Sequence, residues 1–268
     1  TDVGTSVEVD GTITTFNNAG QIITDGFGVY VDQLGKIGTL NNPSGALIGN
    51  SSLVGYAGVG LYYGGRIDTI NNAGTIRAQL SGGIHVEGGS SIGAINNSGT
   101  IVSGTAGAID NNGSTIDSIT NTGTITSGYV GIKNYTGGTI GSINNSGTIA
   151  SAGGTGGHGI LNTSSTIGTI TNSGTISSVF TAITNTAGTI TTLNNSGTIT
   201  GRTGVYLLSN ATIGTITNSN LIEATDGNAI DVSYGQVGTL TNTADGHIKG
   251  GYAGVSNSGT ITQMTNAG

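Results

Sequence analysis

The side chains with the greatest capacity for chemistry are His85, Asp110 and Lys133, which occupy equivalent places in three successive repeats of the chain. A histidine, a carboxylate and an ammonium group on neighbouring strands could support acid–base chemistry of the kind that cleaves polysaccharides. Glycoside hydrolysis requires two carboxylates, however, and Asp110 has no evident partner because Asp68 and Asp117 fall on a different strand. We therefore interpret the three residues as a surface charge ladder and predict no enzyme, with a polysaccharide lyase or hydrolase as the alternative.

Other sites for chemistry are sparse in this sequence. There is no cysteine, and His158 and His247 are isolated, so we predict no metal site and no cofactor. The six Lys and Arg residues are scattered against thirteen Asp and Glu, giving a net charge of −7 and no nucleic-acid footprint. No apolar run reaches the roughly 18 residues that a membrane-spanning helix requires. The partners we expect are therefore neither nucleic acid nor the membrane itself.

The composition indicates many short strands joined by tight turns. Only 7% of the residues are charged, against about 25% in ordinary globular domains, and there are 52 glycines. The abundant Ile, Val and Thr favour strands, whereas Gly and Asn favour turns. A disordered tail would be richer in charge.

One phrase recurs along the whole chain: Ile or Val, two residues, Ile or Leu, one residue, Asn, one residue and Gly-Thr-Ile, as at 92–101. A third apolar phrase follows in each repeat, so three short strands would form one coil. One glycine in about every five residues argues against a helical repeat. We predict an all-β, right-handed parallel β-helix (β-solenoid) of about eleven three-sided coils of ~24 residues, as one array over 1–268.

The recurring asparagines are predicted to stack as a structural ladder inside the turns, each amide bonding its neighbours above and below. Eight of them define this ladder: Asn72, Asn97, Asn121, Asn145, Asn172, Asn195, Asn218 and Asn242. A second column is predicted after the third strand, at Asn111, Asn134, Asn162, Asn185 and Asn257. Strand alternation places Ile125 inside, with Thr124 and Thr126 outside.

One column varies freely between repeats, and it lies at the outward position of the third strand. The candidate binding residues on it are Tyr30, Tyr62, His85, Asp110, Lys133, Tyr206 and Asp231. Tyrosine offers contact area and a hydroxyl group at low entropic cost, which suits carbohydrate or protein contacts. The column is either an interaction surface or a tolerant solvated face. Two insertions, near 50–56 and 151–157, would form loops or bulges on one face of the solenoid, which is often the binding face.

The repeated phrase, for example at 140–149 and 193–199, resembles the passenger domains of bacterial autotransporters, particularly the adhesive and self-associating ones. The resemblance implies export across both membranes of a Gram-negative cell and display at the cell surface. It also implies an N-terminal signal and a C-terminal membrane barrel, neither of which is in this sequence, so we expect a fragment of a longer passenger. The expected function is a structural and adhesive rod whose partner is a host surface glycan or protein, or another copy of itself.

Ice binding is the remaining alternative. Pairs of outward threonines flank the Gly-Thr-Ile isoleucine, at Thr12/Thr14, Thr124/Thr126, Thr198/Thr200 and Thr260/Thr262. A regular array of this kind could order water. The same column is interrupted by Arg77, Val102, Ala150, Glu223 and Lys249, which argues against it.

Overall fold

The computed structural model describes residues 5–49, 56–154 and 156–268, and this part of the chain forms only strands and turns. No helix capable of spanning a membrane occurs within the described ranges. The strands are β1 (Val7–Val9), β2 (Thr12–Asn17), β3 (Gln21–Ile23), β4 (Val29–Val31), β5 (Lys36–Asn42), β6 (Leu47–Gly49), β7 (Val59–Leu61), β8 (Arg66–Asn72), β9 (Thr75–Ala78), β10 (Ile84–Glu87), β11 (Ser91–Asn97), β12 (Thr100–Ser103), β13 (Gly107–Asn112), β14 (Thr115–Asn121), β15 (Thr124–Ser127), β16 (Val130–Tyr135), β17 (Thr139–Asn145), β18 (Thr148–Ser151), β19 (His158–Thr163), β20 (Thr166–Asn172), β21 (Thr175–Ser178), β22 (Thr181–Thr186), β23 (Thr189–Asn195), β24 (Thr198–Gly201), β25 (Thr203–Leu208), β26 (Thr212–Asn218), β27 (Leu221–Ala224), β28 (Asn228–Val232), β29 (Gln236–Asn242), β30 (His247–Lys249), β31 (Ala253–Asn257) and β32 (Thr260–Asn266).

Every third strand belongs to the same parallel sheet. Sheet A runs from β1 to β31 and sheet B from β2 to β32, each with eleven strands, and sheet C runs from β3 to β30 with ten. One strand from each sheet makes one coil, and Ile95, Ile119 and Ile143 stack directly over one another in successive coils. The predicted parallel solenoid of about eleven three-sided coils is confirmed.

The core is a set of isoleucine columns that alternation turns inward. Ile125 of sheet C, Ile116 and Ile119 of sheet B and Ile109 of sheet A are fully buried. Thr124 and Thr126 face outward and are half-buried, as predicted. Burial of one such side chain contributes about 1.5–3 kcal/mol, and each column is completed only by the coils above and below.

The predicted asparagine ladder lies at the corner between sheets B and C, here called the B–C corner. It runs unbroken from Asn18 to Asn266, with each Nδ2 donating to the Oδ1 of the next coil at 2.7–2.8 Å. The same Nδ2 atoms also donate to backbone carbonyls of the turns, as Asn145 does to Gly147 and Thr175. These bonds close the corner and fix its register.

The second asparagine column is a ladder for only part of its predicted length. Asn111, Asn134, Asn162 and Asn185 bond one another at 2.7–2.9 Å. Leu207 and Val232 then occupy the same column, so the prediction that the exposed Asn257 continues the ladder is wrong. The physical reason is that this column is an inward one, which either amides or apolar side chains can fill.

The threonine pairs do not form one array. Thr124/Thr126 and Thr198/Thr200 lie on sheet C, whereas Thr12/Thr14 and Thr260/Thr262 lie on sheet B, so the expectation of a shared column is wrong. The interruptions are confirmed in register on sheet C, where Arg77 pairs with Val102 and Glu223 with Lys249. Neither sheet therefore presents the regular array that ice binding would require.

Candidate functional site

The candidate residues lie along the outward side of sheet A, here called the sheet A face. In successive coils one outward column contains Tyr30, Gly60, His85, Asp110, Lys133, Leu161, Thr184, Tyr206, Asp231 and Ser256. Tyr62 was predicted to be a member of this column, and that placement is wrong. Strand β7 presents Gly60 there, and Tyr62 comes two residues later, in the neighbouring outward column.

Exposed apolar side chains are concentrated in the turns that border sheet A. Of the ten large apolar residues that are exposed in the described ranges, eight lie in these turns: Leu34, Tyr56, Tyr63, Leu80, Tyr129, Val179, Tyr234 and Tyr252. The other two are Ile23 and Met264, so the described turns at the B–C corner hold none. Five of the eight lie in turns that lead from sheet C into sheet A and three in turns that lead from sheet A into sheet B, so both edges of the sheet A face carry exposed apolar side chains.

An aromatic cluster covers the N-terminal part of the sheet A face. The Phe27 ring lies 4.9 Å from Tyr30, 4.9 Å from Tyr56 and 5.3 Å from Tyr62, measured between ring centroids. Gly60 allows this arrangement, because a Cβ there would lie 2.8 Å from Cδ1 of Phe27. Most of the first predicted insertion, 50–55, lies outside the described residues. Tyr56 at its end packs against this cluster and so borders the predicted face.

Next to the aromatic rings lies a charged cluster that is buried, not solvated. His85 is 8% exposed and Asp110 is 4% exposed, so the interpretation of a surface charge ladder is wrong. His85 Nε2 lies 3.0 Å from Glu87 Oε2, and its Nδ1 lies 3.7 Å from Asp110 Oδ2. The Tyr62 ring stacks on the imidazole at 5.4 Å and shields it from water.

Glu87 is the partner that sequence reasoning missed. The prediction that Asp110 has no carboxylate partner on its face is wrong, because Glu87 reaches the same imidazole from the other side. Asn112 Nδ2 holds the Glu87 carboxylate at 3.2 Å. The available signal was alternation: residues two apart on a strand share a face, which places Glu87 beside His85.

Lys133 and Tyr135 close the cluster on its other side. The Lys133 ammonium group lies 3.8 Å from the centroid of the Tyr135 ring, in a cation–π contact. Burial, followed by the nearby negative charges of Asp110 and Glu87, raises the pKa of Tyr135 above its usual value. Tyr135 therefore stays neutral near pH 7.

His85, which is buried, and His158, which is half-buried, should respond to pH in opposite directions. Burial lowers the pKa of His85, but the nearby Asp110 and Glu87 raise it by more, so the pKa of His85 lies above its usual value of 6.5. The stabilisation from this cluster is therefore complete below about pH 6.5 and is lost as the pH rises through the raised value. Burial lowers the pKa of His158 to about 4, so stability around His158 is lost as the pH falls from 6.5 towards 4.

We expect amide exchange, corrected for its intrinsic pH dependence, to slow around β10–β13 and to quicken around β19–β22 as the pH falls from about 8 to 5. Mass spectrometry of proteolytic fragments measures both segments in one sample. His85→Gln should remove the first response and His158→Gln the second. A response of the same sign in both segments would contradict the assignment.

Tyr206 and Asp231 lie apart from this cluster, over the C-terminal coils. They line a pocket of about 350 Å³ together with Phe180, Arg202 and Tyr252. The seven candidate residues therefore form two groups on one face. Five belong to or adjoin the filled N-terminal cluster, and two line an open pocket.

A separate groove of about 430 Å³ lies at the B–C corner. It follows an outer asparagine ladder that was not predicted, in which Asn41, Asn71 and Asn96 each donate to the preceding coil at 2.8–2.9 Å. Because these amides bond one another, much of their hydrogen-bonding capacity is already used. This groove is a weaker candidate site than the sheet A face.

In the described ranges, His, Asp and Glu do not assemble into a group of three that could hold a metal ion. Comparison with known proteins gives no match to a family model, to a curated protein or to a solved structure.

Proposed function

We propose that the chain is part of a secreted rod, displayed on a bacterial surface, that mediates cell–cell or cell–substrate attachment through the sheet A face. The observation that carries this proposal is the concentration of exposed tyrosine and aliphatic side chains in the turns bordering sheet A. Aromatic side chains dominate the energetics of binding surfaces because they bury a large area with little loss of freedom. A stack of coils repeats such contacts along its length.

The autotransporter resemblance supports the secreted location in this proposal. Absence of cysteine suits a chain that must stay unfolded while it crosses an oxidising compartment. Each coil is stabilised mainly by its contacts with the coils next to it. Such a rod can fold coil by coil as it emerges from the cell. The expected partner is a host surface glycan or protein, or a second copy of the rod.

The test compares attachment of beads coated with the chain and with two triple variants. Replacing Tyr129, Tyr234 and Tyr252 by Ser should lower attachment to bacterial or host cells by about tenfold, because each loss removes an exposed aromatic contact. The matched control replaces three exposed sheet B residues, Thr120, Asn144 and Asn194, by Ala. Equal attachment by both variants, with circular dichroism unchanged, would rule out the sheet A face.

A second candidate function is a carbohydrate-active enzyme of the lyase or hydrolase type. It is favoured by one observation: Glu87 and Asp110 both approach His85, which supplies the two carboxylates that such chemistry uses. Turnover on a panel of polysaccharides, with and without calcium, separates it from the adhesive function. Turnover that Glu87→Gln abolishes would favour the enzyme.

A further inference from the structure

One edge of the sheet A face lies beside the turns that lead from sheet C into sheet A, here called the C–A turns. In the N-terminal coils the chain's own side chains fill this edge: Phe27 lies over Gly60, the Tyr62 ring stacks on His85, and Asp110 is buried. Further along, His158 fills it, bonding Thr184 at 2.9 Å with its ring 6.0 Å from Phe180.

Beyond Phe180 the same edge holds an open pocket. Tyr206 and Asp231 form its floor, and the wall is built from Phe180 and Tyr252 of the C–A turns, enclosing about 350 Å³. Tyr252 is 79% exposed, so its ring is available for contact. A volume of this size lies within the range of small-molecule sites, which are roughly 300–1,000 Å³.

The polar groups of this pocket are held in place. The two carboxylate oxygens of Asp231 accept hydrogen bonds from Asn228 Nδ2 and from the Ser233 hydroxyl, both at 2.8 Å. Each oxygen keeps a further lone pair for a ligand. At the rim, Arg202 and Asp226 form an ion pair at 3.3 Å, and both side chains are more than half exposed. The site thus offers fixed acceptors beside a guanidinium donor.

We infer that this pocket binds one sugar unit of a neutral glycan. The apolar face of a sugar ring packs on exposed tyrosine rings, while neighbouring hydroxyl groups both donate to carboxylates and accept from a guanidinium group. Arg202 and Asp226 offset one another, so Asp231 leaves the pocket with a net negative charge, which disfavours an anionic ligand. The inference rests on the proposed function, since it names the ligand class for the same face.

The first experiment titrates the purified chain with methyl glycosides of glucose, galactose, mannose and N-acetylglucosamine, following its tyrosine ring signals by NMR. At least one should bind with a Kd of about 1 mM, as expected for a single ring in an open pocket. Tyr252→Ala and Asp231→Asn should each weaken that binding at least about tenfold. Asn194→Ala, on exposed sheet B, is the control and should bind as the parent does. A methyl glycoside of galacturonic acid should bind more weakly than that of galactose.

Failure of all four neutral glycosides to bind, or binding that neither pocket substitution weakens, would overturn the inference. Tighter binding of the uronic acid would also overturn it. The titration does not depend on attachment, so the two proposals fail separately. If the chain attaches to cells but binds no sugar, the result supports the adhesive function and contradicts only the saccharide site.

Attachment assays then use the glycoside that binds most tightly as a competitor, and they distinguish the source of the sugar. Competition against binding to host cells indicates a host glycan, and competition against clumping of bacterial cells indicates a polysaccharide of neighbouring cells. Either result supports the pocket. Attachment that is sensitive to the tyrosine variants but not to the sugar would count against it.

Discussion

Replacing Asn145 by Leu is expected to destabilise the rod by roughly 3–5 kcal/mol, because leucine matches the volume but removes every hydrogen bond of the amide. Asn145 accepts from Asn121 Nδ2 and donates to Asn172 Oδ1, both at 2.8 Å. It also donates to the carbonyls of Gly147 and Thr175. Each buried group left without a partner costs about 1–3 kcal/mol.

The matched control is Asn144→Leu, because Asn144 is the preceding residue and is exposed. It should change stability by less than about 0.5 kcal/mol. Urea unfolding gives the overall effect, and hydrogen exchange should show the loss confined to the coils of Asn121, Asn145 and Asn172, since coils couple to their nearest neighbours. A uniform loss of protection along the rod would contradict this local account.

The second large effect is expected for Gly147→Ala, which should cost about 3 kcal/mol by overpacking the B–C corner. A Cβ at Gly147 would lie 2.1 Å from the carbonyl oxygen of Gly123 in the preceding coil. The same close approach recurs at Gly123 and Gly174, both at 2.2 Å. These contacts are with backbone, so a side chain cannot relieve them by rotating.

In a later coil the position equivalent to Gly147 is occupied by Asn220, so the chain itself shows the effect of a side chain at this corner. There the bond from the Leu221 amide to the Gly197 carbonyl is 3.2 Å, against 2.8 Å from Thr198 to Gly174 one coil earlier. The control substitution is Gly154→Ala, where nothing lies within 4 Å of the new Cβ. Thermal unfolding measures both variants. Equal melting temperatures would show that the corner is looser than these distances indicate.

The architecture was predictable because the period of the repeat determines the register. Once Asn121 and Asn145 stack, Ile119 must lie under Ile143 and Ile125 must point inward, so one repeated phrase predicts three sheets and an interior ladder. Because successive side chains of a strand point to opposite faces, the repeat also predicts which residues form the outward columns. This is why the sheet A face, and six of its seven candidate residues, could be placed from sequence.

Tertiary structure alone decided what covers that face. The repeat places His85 and Asp110 outward but does not predict their surroundings. The Tyr62 ring and Glu87 pack against His85, and both His85 and Asp110 are buried. The repeat also does not predict that side chains cover the sheet A face at Gly60 and leave a pocket at Tyr206. The direction of a side chain in a turn depends on its packing against neighbouring coils. The repeat of a single coil does not specify that packing. The sequence by itself determined the columns of this protein, and contacts between coils decided which of their residues a partner can reach.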